Sequence, residues 1–218
     1  MSDASRLTPD LIHEAVCFLN RSCPVMSELV TLHGPCSLPG RAFHPFQTLA
    51  TSIISQQLSA RAATTIECRV RTVIPGLTPE GLSTVSPEVL RAAGLSTAKV
   101  RYLKDIAHRV NEGRLELNGL LEVKDDDVIT KLTEIPGIGR WTAEMFLIFG
   151  LSRPDILSLG DAGLQRAARI LFGADVELER IAEAWKPYRS VASWYLWKHL
   201  DSASKSCNQP PAASGLSR

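Results

Sequence analysis

The chain has 218 residues, 44% hydrophobic and 22% charged, which suits one sizeable buried core or two small lobes sharing one. A net charge of +1 gives no global basic signature for a nucleic-acid partner. No membrane span is expected, because no window of about 18 residues is uninterruptedly apolar. Nor is a secretory signal expected, because the opening MSDASRLTPD is acidic and has no apolar centre, so a cytoplasmic protein is expected.

The pattern in chain order is helical almost throughout. Thr8-Pro9-Asp10 opens a helix with Thr8 as N-cap, and Leu11, Ile12, Ala15, Val16 and Leu19 form its apolar stripe. Residues 22–44, rich in Pro, Gly and Ser, read as a long loop. Phe46, Leu49, Ala50, Ile53 and Ile54 mark the next helix, and Ser59 caps another that runs to about Val73. Ser86-Pro87-Glu88 starts a short helix that stops at Gly94. Val100, Leu103, Ile106, Ala107 and Val110 stripe one that ends near Gly113. Asp125, Asp126 and Asp127 place negative charge at a further N-terminus, as the helix dipole favours. Helices at roughly 140–150, 161–172, 178–186 and 188–200 complete an all-α chain with no strand. The small, polar segment 202–218 is expected to be disordered.

Few residue clusters carry chemistry. Cys17, Cys23, Cys36, Cys68 and Cys207 contain no CxxC pair and read as free thiols, and the five histidines have no metal-ligand spacing. Lys99, Arg101, Lys104, Arg109 and Arg114 outnumber the acids of their stretch and form the one local basic concentration. The sharpest feature is Leu132-Thr133-Glu134-Ile135-Pro136-Gly137-Ile138-Gly139-Arg140-Trp141-Thr142-Ala143: a helix end, a tight Pro-Gly-Ile-Gly turn and a new helix. Two glycines let the backbone approach another molecule closely, and free amides at the new helix suit a phosphate. The carbonyls of Thr133, Ile135 and Ile138 are candidates for a structural Na+ or K+. The bland alternative is a plain helix-helix turn. Asp161, before Ala162-Gly163-Leu164, reads equally as an ordinary N-cap.

This segment resembles the hairpin of the helix-hairpin-helix DNA glycosylase superfamily. That superfamily follows its hairpin, about twenty residues on, with a Gly/Pro-rich loop and an essential aspartate. Here Ser158-Leu159-Gly160-Asp161-Ala162-Gly163 stands at that distance. Upstream, Ile53-Ile54-Ser55-Gln56-Gln57-Leu58-Ser59 is similar to the helix-end motif that fills the gap left by an extruded nucleotide. The three motifs lie in the family's order over about residues 44–200, and the alkyladenine branch, of 3-methyladenine DNA glycosylase II type, fits best.

The resemblance implies two helical lobes around a cleft: a hairpin lobe at about 55–150, and a second lobe from 1–54 plus 151–201. It implies double-stranded damaged DNA as partner, a monomer, and Asp161 as the catalytic carboxylate. Pro136, Gly137, Ile138, Gly139, Arg140 and Thr142 would hold the backbone, and Gln56, Gln57 and Leu58 would probe the duplex. Either Gln57 or Leu58 could be the inserted side chain. Members that also nick the strand carry a Schiff-base lysine where this chain has Trp141, so a monofunctional hydrolase is implied. Iron–sulfur relatives carry four closely spaced C-terminal cysteines; with only Cys207 in that region no cluster is expected, nor is any required cofactor.

Trp141 and Trp197 are candidate walls of the base pocket, with core packing as the alternative for Trp197; Trp185 and Trp194 read as core. Met145 and Ala162 stand where the branch has aromatic residues, which implies a roomier pocket. The N-terminal β domain of the branch is expected to be absent. Two rival readings remain: a glycosylase for oxidised or mispaired bases, and a non-catalytic DNA-binding module.

Overall fold

The computed structural model describes residues 6–38 and 44–206, and Cys207 with the rest of the C-terminal tail lies outside them. Twelve α-helices are present among the described residues, and no strand. They are α1 Pro9–Ser22, α2 Pro24–His33, α3 Pro45–Ser55, α4 Ala60–Val73, α5 Pro79–Thr84, α6 Pro87–Ala92, α7 Thr97–Asn111, α8 Asp125–Thr133, α9 Arg140–Met145, α10 Ala162–Phe172, α11 Leu178–Ala182 and α12 Arg189–Ser206.

The helix starts follow local chemistry. Thr8, Ser59 and Ser96 each accept the backbone N–H three residues on, a cap that stabilises a helix by about 1 kcal/mol. Where the sequence predicts a long loop, α2 forms instead. Cys23 caps it through sulfur, Pro24 presets its first turn, and Met26 and Leu29 are buried. Apart from Pro24, the glycines and prolines of that window lie beyond its end. The expected ending near residue 200 is also corrected, since α12 runs on to Ser206.

The helices sort into two groups. α3 to α9 pack on one another, with α7 touching α3, α5 and α6, and α9 lying against α3 and α8. α1, α2, α10, α11 and α12 form the other, with α12 lying against α1, α2 and α10. α3 therefore belongs with the hairpin group, not with the terminal helices, because buried Phe46, Leu49, Ala50, Ile53 and Ile54 give it a broad apolar face that α4, α7 and α9 cover. One hydrophobic cluster runs through both groups, so they are lobes of a single core. Fully buried Arg153 ties the segment after α9 to the start of α8 through Asp125 and the carbonyls of Leu121 and Val123.

Most of the basic concentration on and after α7 is engaged within the chain, while Arg101 is exposed over the Tyr102 ring. Lys104 donates to the carbonyls of Leu82, Ser83 and Val85 around the end of α5, Arg109 pairs with Asp105 and Arg114 with Glu112. Of the cysteines, Cys17, Cys23, Cys36 and Cys68 are free thiols, and burial pushes Cys36 up to about 12.

Candidate active site

Asp161 ends the loop before α10 and caps that helix, its Oδ1 accepting the Leu164 N–H at 2.7 Å. The two readings of this residue are therefore compatible: the cap fixes the carboxylate in place. The Trp141 indole N–H donates to Oδ2 at 2.7 Å, and that of Trp197 to Oδ1 at 3.0 Å. Trp141 stands on α9 of the hairpin lobe and Trp197 on α12 of the terminal lobe, so the carboxylate is clasped where the two lobes meet. It is 9% exposed. A carboxylate has about four acceptor sites, and the three donors leave one, on Oδ2.

Gly163 makes this clasp fit, since a Cβ there would stand 3.0 Å from Asp161 Oδ1 and 3.4 Å from the Trp197 ring. Beyond α9 the chain continues through a π-helical turn, Phe146–Gly150, and Phe149 lies against Trp197 with ring centroids 5.7 Å apart. Met145 is buried and Ala162 exposed. Trp185 is core; Trp194 is half-buried on Tyr195.

The hairpin runs from α8 through Pro136, Gly137, Ile138 and Gly139 into α9. Gly137 has φ +88°, and a Cβ there would fall 2.2 Å from the Tyr102 ring, so glycine is required by backbone and packing together. Gly139 has an ordinary φ and nothing within 4 Å of a Cβ position, so the fold itself makes no use of its missing side chain. Pro136, Gly139 and Arg140 are exposed. The side chains of Ile138 and Thr142 point inward, so any hold of these two residues on DNA would be through the main chain. Both are buried, because they lie on the faces that join the hairpin to the core.

Gln56, one of the three duplex-probing candidates, is tied inward. Its amide donates to the Gly137 carbonyl at 2.8 Å and to the Thr142 hydroxyl at 2.9 Å, bracing the hairpin. Lys99 donates to the carbonyls of Ile54 and Gln56, both at 2.7 Å, closing the end of α3, and burial draws its pKa below the usual lysine range. The braced turn then projects Gln57, exposed and with φ +56°, while Leu58 is half-buried. Of the three carbonyls proposed for a cation, that of Ile135 accepts the Ile138 N–H at 3.0 Å, and a carbonyl oxygen keeps a second lone pair. The described residues hold no group of three or more His, Cys, Asp or Glu side chains that could bind a metal.

The sequence reading missed two residues here. Glu144, 4% exposed, accepts the Arg140 Nε–H at 2.8 Å and the hydroxyl of fully buried Ser158 at 2.5 Å. The four-residue spacing from Arg140 signals half of that network; nothing local in the sequence signals Ser158. A groove of about 460 Å³ beside His44, Phe46, Leu77, Val110 and Leu117 shares no residue with the site.

The model of the HhH-GPD superfamily base excision DNA repair proteins matches residues 50–190. DNA-3-methyladenine glycosylase 1 of Schizosaccharomyces pombe is 34% identical over 163 residues, covering 71% of this chain and 72% of its own. A solved structure of DNA-3-methyladenine glycosidase from Bacillus halodurans is 39% identical, with TM-score 0.69, over 88% of this chain and 91% of that one. The 3-methyladenine DNA glycosylase of S. pombe in complex with abasic DNA is 31% identical, with TM-score 0.77, over 86% and 97%. The chain belongs to the HhH-GPD superfamily of base excision DNA repair proteins.

Proposed function

We propose that the protein is a monofunctional glycosylase that hydrolyses the N-glycosidic bond of alkylated purines flipped out of double-stranded DNA. The observation that carries this is the clasp on Asp161: an ionisable carboxylate at the junction of two lobes, held by one tryptophan from each. Relatives named for 3-methyladenine release, and one solved with abasic DNA, support the substrate class and the product. A monomer in the cytoplasm acting on damaged duplex belongs to the same reading. A monovalent cation on the Thr133, Ile135 and Ile138 carbonyls is a further part of it, supported by the sequence pattern.

The chemistry follows from the geometry. As the bond between C1′ and the base nitrogen breaks, its electron pair leaves with the base and positive charge grows on the sugar. The fixed Asp161 carboxylate stabilises that charge without having to reorganise, and its free Oδ2 site can take a proton of the water that adds to C1′. A base alkylated at N3 or N7 is cationic and leaves neutral, so no acid is needed to protonate it. The side chain reaching Asp161 from α9 is an indole, which cannot form an imine, so the strand is left intact at an abasic site. Base flipping delivers the target.

The test is a panel of duplexes carrying one lesion each, followed by alkaline cleavage at abasic sites. The expected order is 3-methyladenine and 7-methylguanine fastest, hypoxanthine slower and undamaged purines slowest. 8-Oxoguanine as the best substrate would refute the alkylpurine reading.

A further inference from the structure

The loop that delivers Asp161 is anchored at few points. A Cβ at Gly160 would meet nothing within 4 Å, and Leu159 is exposed, its carbonyl accepting the Gln165 amide at 3.0 Å. The inward anchor is Ser158. Its carbonyl accepts the Asp161 N–H at 3.1 Å, closing the turn, and its hydroxyl donates to Glu144 Oε2 at 2.5 Å. Such a short O–H···O− bond is charge-assisted, about twice as strong as a neutral one. Glu144 is a buried carboxylate, a costly group to retain unless it is paired, and its other oxygen accepts Arg140 Nε. Arg140, the first residue after the hairpin turn, is 70% exposed. A single short helix, α9, thus grips the catalytic loop twice: Trp141 holds the carboxylate, and Glu144 holds the turn behind it.

We propose that Glu144 is a positioning residue for base excision: through Ser158 it sets the Asp161 carboxylate between Trp141 and Trp197, and through Arg140 it joins that setting to the hairpin. The inference rests on the glycosylase reading above for its rate consequence, but not for its structural one. Glu144 never touches substrate. It keeps the turn from relaxing outward, so the carboxylate is already in place when a nucleotide arrives.

The chain carries its own probe. Of its four tryptophans, Trp141 and Trp197 donate to Asp161, while Trp185 and Trp194 have no hydrogen bond to it. Two-dimensional NMR of protein labelled with 15N at tryptophan resolves four indole N–H signals, and Asp161→Asn identifies the two that report on the carboxylate. Glu144→Gln and Ser158→Ala should move those same two signals and leave the other two in place. Both variants should slow single-turnover release of 7-methylguanine about tenfold or more, as losing a hydrogen bond to a charged group predicts. Affinity for a duplex with an uncleavable abasic analogue should stay within about twofold.

Ser158→Ala removes one oxygen atom and reads the same contact should the Glu144 variant fail to fold. Excision within about twofold of wild type overturns the proposal. So does slow excision with unmoved signals, or a shift spread over all four indoles, which would mark general loosening. If the wild-type protein releases no alkylated base, the glycosylase reading fails, and the indole signals still decide whether Glu144 holds Asp161.

Discussion

Replacing the indole of Trp141 by a phenyl ring separates two jobs that this side chain can combine. Its N–H holds Asp161 Oδ2, and its ring is the candidate face for a cationic base. Trp141→Phe keeps a ring and deletes the donor, so single-turnover kinetics should show every lesion slowed alike, by about ten- to hundredfold, from a lost charge-assisted bond of ~1.5–3 kcal/mol. Trp141→Ala should lose more on 3-methyladenine and 7-methylguanine than on hypoxanthine, since cation–π attraction of about 0.5–2 kcal/mol goes as well. A Phe variant that is slow only on cationic bases would mean that the hydrogen bond is idle. Borohydride should trap no covalent adduct on damaged duplex, because no amine replaces the indole; a trapped adduct would reveal a working lysine. The carboxylate and its capping role are legible in the sequence. That both tryptophans point their N–H groups at it is not, because Trp141 and Trp197 are far apart in the chain and only packing of the two lobes brings them together.

Within the hairpin, the two glycines are unequal, and the difference is testable. Gly139→Val enters open space at an ordinary φ, so thermal stability should hold while affinity falls alike for damaged and undamaged duplex, phosphate contacts carrying no lesion information. Gly137→Val meets the Tyr102 ring at a positive φ, and should cost stability as well, about 1–3 kcal/mol in denaturant titration. A Gly139 variant that keeps its grip on undamaged duplex would remove the anchoring role from this turn. The hairpin is legible because proline, glycine and the flanking apolar residues are local signals. The end of α3 is half legible. The Gln56-Gln57-Leu58 motif marks it, but Gln56 and Lys99 turn out to be braces, and their partners lie elsewhere in the chain. α2 is missed for the opposite reason: one compositional window averaged a good helix start with the Gly- and Pro-rich stretch that follows it.

For the molecule as a whole, an all-α class follows from helical periodicity alone, whereas the lobe boundary does not. α3 joins the hairpin lobe because its apolar surface is broad enough to be covered by α4, α7 and α9 together. The near-neutral charge also makes sense at this scale. On α7, Lys99 and Lys104 are spent on carbonyls and Arg109 on a local ion pair, while Arg101 stays exposed over the Tyr102 ring and Arg140 is exposed beside the hairpin. The junction of the lobes then carries the chemistry, with Asp161 at its centre.

Asp161→Asn tests that centre most directly, and the geometry says how to do it cleanly. The remaining oxygen of the amide can keep the Leu164 and Trp197 donors, both of which fall on Oδ1, but its NH2 would face the Trp141 N–H. Trp141→Phe therefore serves as the reference background, in which that donor clash is absent. In both backgrounds, single-turnover release of 7-methylguanine from a defined duplex should fall about a hundredfold or more, with affinity for the same duplex unchanged within about threefold. Release within about threefold of the matching Asp161 protein would contradict the account.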